Sequence, residues 1–136
     1  MKIRTVLTLA AASALAMPGA AAAQTTAGEI EYQQACAACH GAAGQGDGPV
    51  AEYMSVPVPD LTRIAERRNG AFPYQELMQM IDGRNAERQP GPHGTAMPVW
   101  GDRFMLDSGS ANPVENEINT LGRISSLVDY IYSLQE

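Results

Sequence analysis

The sequence predicts an all-α domain in which short helices are joined by long loops. Apolar residues recur at helical spacing in several short segments, whereas no segment of any length shows the alternation of apolar and polar residues that is typical of a strand. Glycine and proline, which number 13 and 9 among 136 residues, cluster between the helical segments. The pattern therefore indicates one small helical domain with irregular connections.

The first 23 residues have the pattern of a secretory signal peptide. Lys2 and Arg4 provide a positive start, and an apolar core of about a dozen residues follows over residues 6–17. This core is shorter than the roughly 20 residues that a helix needs to cross a bilayer. We therefore predict a cleaved Sec-type signal peptide over residues 1–23, a mature domain over residues 24–136 and a periplasmic location. An uncleaved membrane anchor is the alternative.

The mature domain is acidic. Lys2 and Arg4 leave with the signal peptide, while all 15 acidic residues remain, so a net charge of −6 becomes about −8. This charge argues against nucleic acid and anionic membrane surfaces as partners. It favours partner proteins with basic docking patches, because opposite charges steer the encounter. Simple solubility is the alternative explanation of the same charge.

Caps and apolar spacing predict the helices of the first half of the domain. The first helix runs over residues 27–38, and Thr25 or Thr26 can cap it. A glycine-rich loop over residues 41–49 and a short helix over residues 60–67 follow. Four residues of the first helix segment share one face: Gly28, Tyr32, Ala35 and Cys39.

The second half is predicted to contain two further helices. One runs over residues 74–81, begun by Pro73 and ended by Gly83. Residues 106–119 are polar and are expected to form a surface insertion before the last helix, which runs over residues 119–134. The apolar face of that helix is expected to consist of Leu121, Ile124, Leu127, Val128, Ile131 and Leu134.

Both cysteines of the chain lie in the run Cys36-Ala37-Ala38-Cys39-His40, which is the pattern for covalent attachment of a c-type haem. Two thiols one helical turn apart can add to the two vinyl groups of the porphyrin, and His40 then becomes the proximal iron ligand. A disulfide would close a very small loop and stabilise the domain little. An ordinary four-ligand zinc site is disfavoured, because three of its ligands would lie within five residues. A thioredoxin-like redox pair would need a βαβ arrangement, and the sequence predicts no strands.

Met97 is the candidate for the second axial ligand. It lies in a segment rich in proline and glycine over residues 89–101, where Pro98 stiffens the chain. Ligation by histidine and methionine raises the reduction potential of a haem. His93 is the main rival ligand, while Met54 and Met105 are weaker candidates. Met78 and Met80 lie in a predicted helix, where methionine usually fills a core.

At these residues the chain resembles the class I c-type cytochromes, the small monohaem family, in their bacterial exported form. The resemblance rests on the extended run from Cys36 to Pro49, on Met97-Pro98 and on the apolar last helix. It implies a cytochrome c fold, with short helices and long loops packed around one covalently bound haem c. It also implies that the first and last helices cross, with Gly28 and Tyr32 against a partner set in the last helix: Leu127 and Tyr130 or Ile131.

The resemblance also suggests residues that surround the haem. Pro49 resembles the proline whose neighbourhood supplies a backbone carbonyl to the proximal histidine, and a neighbouring residue is the alternative source of that carbonyl. Six side chains are candidates for the haem propionates, with Arg67 or Arg68 and Trp100 favoured: Tyr53, Arg63, Arg67, Arg68, Arg84 and Trp100.

The function implied is electron transport. The chain is expected to be an exported monomeric carrier of single electrons in a respiratory chain, moving between periplasmic or membrane redox partners through a haem ligated by His40 and Met97. A haem-based sensor or ligand-binding protein is one alternative, and an electron-transfer subunit of a larger oxidoreductase is another. No catalytic constellation accompanies the haem motif, so the chain is not expected to be an enzyme by itself.

Overall fold

The computed structural model describes residues 26–85 and 97–136, and the predicted signal peptide and His93 lie outside them. Within the described residues the chain forms α-helices and short 3-10 turns but no strand, which confirms the all-α prediction. The five α-helices are α1 (Ala27–Ala35), α2 (Ala37–His40), α3 (Tyr74–Asp82), α4 (Trp100–Asp107) and α5 (Pro113–Ser133). Two 3-10 turns cover Ala51–Tyr53 and Glu66–Arg68. None of the helices in this part of the chain is both long and apolar enough to span a membrane.

The predicted first helix is two helices joined at Cys36. Thr26 caps α1, since its hydroxyl accepts a hydrogen bond from the backbone of Glu29 at 3.1 Å. Cys36 keeps a right-handed helical backbone and donates its N–H to the carbonyl of Tyr32 at 2.8 Å. Its own carbonyl accepts from His40 at 2.9 Å. Helical structure therefore continues past the predicted end and carries His40 on its last turn.

α1 crosses α5 where the sequence predicts. A Cβ on Gly28 would collide with the backbone carbonyl of Ser126, so only glycine allows the two helices to approach this closely. The rings of Tyr32 and Tyr130 pack with their centroids 5.2 Å apart, and Leu127 is completely buried. The expected crossing of the first and last helices is confirmed.

The core is built around α5. Its apolar face lies against α1, α3 and α4, and the buried apolar residues are Tyr32, Cys36, Ile64, Leu77, Ile81, Phe104, Ile124, Leu127, Val128 and Ile131. Leu121 departs from the predicted face, because its side chain is 41% exposed. Within the described chain, a Cβ on the neighbouring Gly122 would also meet no atom within 4 Å. This side of α5 is uncovered.

The expected insertion over residues 106–119 is mostly helical. Residues 106 and 107 end α4, residues 113–119 begin α5, and only residues 108–112 form an irregular link. Asn112 starts α5 early because its side chain accepts the N–H of Val114 at 3.0 Å. Pro113 suits the first helical position, where a missing N–H costs nothing.

The short helix predicted over residues 60–67 does not form. The segment is a series of turns that leads into the 3-10 turn at Glu66–Arg68. Asp60 accepts the backbone N–H and the hydroxyl of Thr62 at 2.8 and 2.7 Å, and a left-handed Asn69 ends the 3-10 turn. By contrast, α3 agrees with its prediction to within one residue. Gly83 ends α3 in the left-handed conformation, at φ 68°.

Candidate haem site

The two cysteines lie one helical turn apart, Cys36 at the joint of α1 and α2 and Cys39 within α2. Cys36 is buried and Cys39 is partly exposed, and both are free thiols. Burial, followed by the charges of Glu31 and Cys39, raises the pKa of Cys36 to about 12. Both side chains are thiols, and they lie on one helical turn. This donor set fits two thioether bonds to a single porphyrin edge.

His40 is held by a backbone carbonyl. Its ring Nδ1 lies 3.2 Å from the carbonyl oxygen of Pro59, which can only accept, so Nδ1 carries the proton. Burial lowers the pKa of His40, and the hydrogen bond to Pro59 acts in the opposite direction. The ring is therefore suited to remain neutral, with the electron pair of Nε2 available. This is the form in which a histidine ligates a metal.

The proline that meets His40 is Pro59 and not Pro49. Pro49 is exposed, and its neighbours Gly48 and Val50 donate their N–H groups to carbonyls of α2 at 3.1 and 2.9 Å. A Cβ on Gly48 would collide with the α2 backbone, so this part of the loop lies directly against the helix. The loop then returns to the imidazole ten residues later. The sequence also has prolines on both sides of Val58, and these were the available signal. Spacing alone does not show whether Pro49 or Pro59 meets the histidine.

The glycine-rich loop is tied to the helices by hydrogen bonds. Gly46 donates to the carbonyl of His40 at 2.8 Å, and the buried hydroxyl of Tyr32 donates to the carbonyl of Gly41 at 2.7 Å. Gly44 accepts the N–H of Leu61 at 2.6 Å. The three glycines have φ values of 79–85°, which residues with side chains rarely adopt. The loop therefore has one well-defined path around the histidine.

Met97 lies three residues before α4. Its side chain is partly buried and packs against the hydrophobic core to which Cys36 also belongs. Met78 packs against the same core from within α3. The sulfur of Met105 lies 4.0 Å from the guanidinium of Arg84, which gives that methionine a different partner. Of these methionines, Met97 alone combines a loop position with contact to the core, and its ligation of iron stays a prediction.

The arginines considered for the propionates differ in their availability. Arg63, Arg68 and Arg84 each donate to a carboxylate, at 2.5, 2.7 and 2.7 Å. Arg67 donates one amino group to the backbone carbonyl of Asp60 at 2.7 Å. A propionate would have to displace a carboxylate from the first three but not from Arg67. Arg67 is thus the one of these four arginines whose hydrogen bond goes to a backbone carbonyl and not to a carboxylate, and the contact of any of them with a propionate stays a prediction.

The two aromatic candidates lie in different surroundings. Tyr53 is 80% exposed in its 3-10 turn. Trp100 is partly buried at the start of α4, with its ring centroid 5.6 Å from that of Phe104. The guanidinium of Arg103 lies 5.2 Å from the Trp100 ring. Trp100 therefore belongs to the packed interior near Met97, while Tyr53 stands at the surface.

The model of the family described as Cytochrome c matches residues 25–107 of the chain. The matched range contains both cysteines, His40 and Met97, and it ends with the last residue of α4. No curated protein and no solved structure shows a significant match. The helical architecture without strands in the described residues agrees with the fold of this family. With its paired thiols and its carbonyl-held histidine, the chain belongs to the cytochrome c family, whose members bind covalently attached haem c and act in electron transfer.

Proposed function

We propose that the protein is a class I, exported carrier of single electrons with one haem. Cys36 and Cys39 hold the haem, and His40 and Met97 ligate its iron. The observation that carries this proposal is the hydrogen bond of 3.2 Å between His40 Nδ1 and Pro59, beside two free thiols on the same turn. It fixes the ring tautomer that a metal-ligating histidine requires.

When bound, the haem supplies an iron that gains and loses one electron. The residues of the chain set the conditions for that exchange. Cys36 lies in the apolar core and Met97 packs against that core, so both would give the haem apolar surroundings that exclude water. The thioether of Met97 is a soft ligand that favours the reduced iron and raises the potential. The hydrogen bond from His40 to Pro59 keeps the imidazole in one orientation.

The charge and the first residues of the chain support an exported role with protein partners. The predicted signal peptide over residues 1–23 would take the chain to the periplasm, where redox proteins of a respiratory chain would donate and accept electrons. The net charge of about −8 after cleavage of Lys2 and Arg4 favours basic docking patches on those proteins. Transient contacts of this kind need only small interfaces. We propose a monomer without catalytic activity of its own.

Replacement of the proposed methionine ligand tests the site. Met97→Leu should abolish the near-infrared charge-transfer band between methionine sulfur and ferric iron, and it should lower the reduction potential, because the soft sulfur ligand is lost. Met78→Leu is the matched control, since Met78 also packs against the core but lies in α3. The measurements are a near-infrared spectrum and a potentiometric titration of the mature holoprotein. A Met97→Leu protein with an unchanged band would refute ligation by Met97.

A further inference from the structure

We propose that Gln135, at the C-terminus, is a positioning residue for His40. Its side chain fixes the segment over residues 59–65 and thereby holds the Pro59 carbonyl against the imidazole. The inference rests on the ligation of iron by His40 proposed above. It adds a residue that the sequence analysis did not single out and that lies 95 positions after the histidine.

The side chain of Gln135 makes three hydrogen bonds to backbone groups. Its Nε2 donates to the carbonyls of Leu61 and Ile131, both at 2.8 Å. Its Oε1 accepts the N–H of Ala65 at 2.9 Å. The backbone of the next residue continues the connection, because the N–H of Glu136 donates to the carbonyl of Thr62 at 3.1 Å. The end of the chain is therefore fastened to residues 61–65 at three points.

The same segment is held on its other side by the glycine-rich loop. Leu61 donates its N–H to Gly44 at 2.6 Å while its carbonyl accepts from Gln135. A Cβ on Gly46 would lie 2.5 Å from the carbonyl oxygen of Val58, so the loop leaves no space beside the residue before Pro59. The Pro59 ring is exposed, but its backbone lies between Val58, which packs against the loop, and the segment that Gln135 holds in place.

An amide side chain is suited to this task. It donates and accepts at once, as the carbonyl of Leu61 and the N–H of Ala65 require. Without it, the Leu61 carbonyl and the Ala65 N–H lose their Gln135 partner, and the segment that contains Pro59 is held only from the side of the glycine-rich loop. A longer hydrogen bond at Nδ1 makes the imidazole a weaker electron donor, which stabilises ferric iron less. Loss of the Gln135 contacts should therefore raise the reduction potential.

The test compares two variants of Gln135 with a matched glutamine. Gln135→Leu removes all three hydrogen bonds at similar volume, and Gln135→Glu keeps only the acceptor. The control is Gln33→Leu, because Gln33 is exposed and donates to a backbone carbonyl of the glycine-rich loop, that of Ala42, at 3.1 Å. Each full-length mature holoprotein is measured by potentiometric titration and by the hydrogen-exchange rate of the His40 Nδ1 proton in the reduced state.

We expect a more positive potential and faster Nδ1 exchange in Gln135→Leu, a smaller change of both in Gln135→Glu, and neither in Gln33→Leu. If Gln135→Leu does not assemble, Gln135→Glu against Gln33→Leu decides the matter alone. A Gln135 variant that is less stable to urea but has wild-type potential and exchange would overturn the positioning role. Failure of the proposed function is seen separately, as a wild-type protein that lacks a low-spin haem spectrum.

Discussion

The two sides of the candidate haem site are built differently. On the His40 side the backbone bonds mainly to itself: Gly46 donates to His40, Leu61 to Gly44, and the Pro59 carbonyl accepts from the imidazole. The Met97 side consists of α4, which begins three residues after Met97, and the parts of α3 and α5 that it meets; there the described chain is held by a cluster of charged side chains. The His40 side is therefore determined mainly by the path of one loop, with Gln135 as a distant contact, and the Met97 side by charged side chains from different helices.

Arg84 is the centre of the cluster on the Met97 side. It follows the end of α3, contacts the carboxylate of Asp82 and donates to both oxygens of Glu117 in α5, at 2.7 and 3.0 Å. The hydrogen bonds that Arg84 donates to Asp82 and Glu117 raise the pKa of Arg84 above its usual range, so the guanidinium keeps its positive charge. A Cβ on Gly101 in α4 would collide with the Asp82 side chain. Three helices thus meet at one guanidinium.

The largest expected effect on stability comes from two glycine-to-alanine substitutions, one on the His40 side and one on the Met97 side. Gly48→Ala places a Cβ against the backbone of α2, which cannot move aside, so it should destabilise the fold by about 3 kcal/mol. Gly101→Ala meets the side chains of Asp82 and Arg84, which can rearrange, and the backbone carbonyl of Asp82 at 2.8 Å, and should cost about 2 kcal/mol. Urea unfolding of the two holoproteins measures the difference. Equal losses would remove the proposed contrast between a backbone-held and a side-chain-held half.

The next effect concerns the charged cluster. Arg84→Gln leaves Asp82 and Glu117 without their cation, and because these groups are only partly buried the loss should be about 1–2 kcal/mol. The loss should shrink at high salt, since ions screen the attraction in the wild-type protein. The control is Arg63→Gln, which breaks a fully exposed pair and should change stability less than Arg84→Gln does. Indistinguishable urea midpoints for Arg84→Gln and Arg63→Gln would mean that the cluster does not stabilise this side.

The smallest expected effect is on the pH dependence of the folding stability, and it comes from Asp60 on the His40 side. The hydrogen bond from the Thr62 hydroxyl lowers the pKa of Asp60. A carboxyl with a lowered pKa in the folded state stabilises the fold above its unfolded pKa, and this stabilisation is lost as the pH falls through the folded value. Thr62→Val should therefore reduce the loss of stability between pH 5 and pH 2. Parallel unfolding measurements on both proteins check this, and an unchanged slope would contradict the assignment.

The sequence predicts the His40 side well because its signals are local. The haem motif, the cap at Thr26 and the glycines after His40 each specify a short stretch of backbone. The resemblance also placed Gly28 against the last helix correctly. Its assignment of Pro49 or a neighbouring residue to the imidazole was wrong, because which proline reaches His40 depends on how the loop closes over α2.

The Met97 side could be predicted only in part. α4 was missed although Trp100 and Phe104 have helical spacing, since the segment before it is rich in proline and glycine. The partnership of Arg84 with Glu117 joins residues 33 positions apart, and no spacing rule links them. The same holds for the distant contact on the His40 side, where Gln135 lies 74 positions from Leu61. Such contacts follow from the packing of helices, which a single sequence does not encode in any short pattern.

The central claim is that His40 and Met97 together close the iron site. The most direct measurement is the visible spectrum of the mature, reduced holoprotein before and after addition of carbon monoxide. We predict a low-spin spectrum that carbon monoxide does not change rapidly, because ligation by His40 and Met97 would leave no open position on the iron. A rapid spectral change would show an open iron site, which would contradict the closed electron carrier and indicate a gas-binding protein instead.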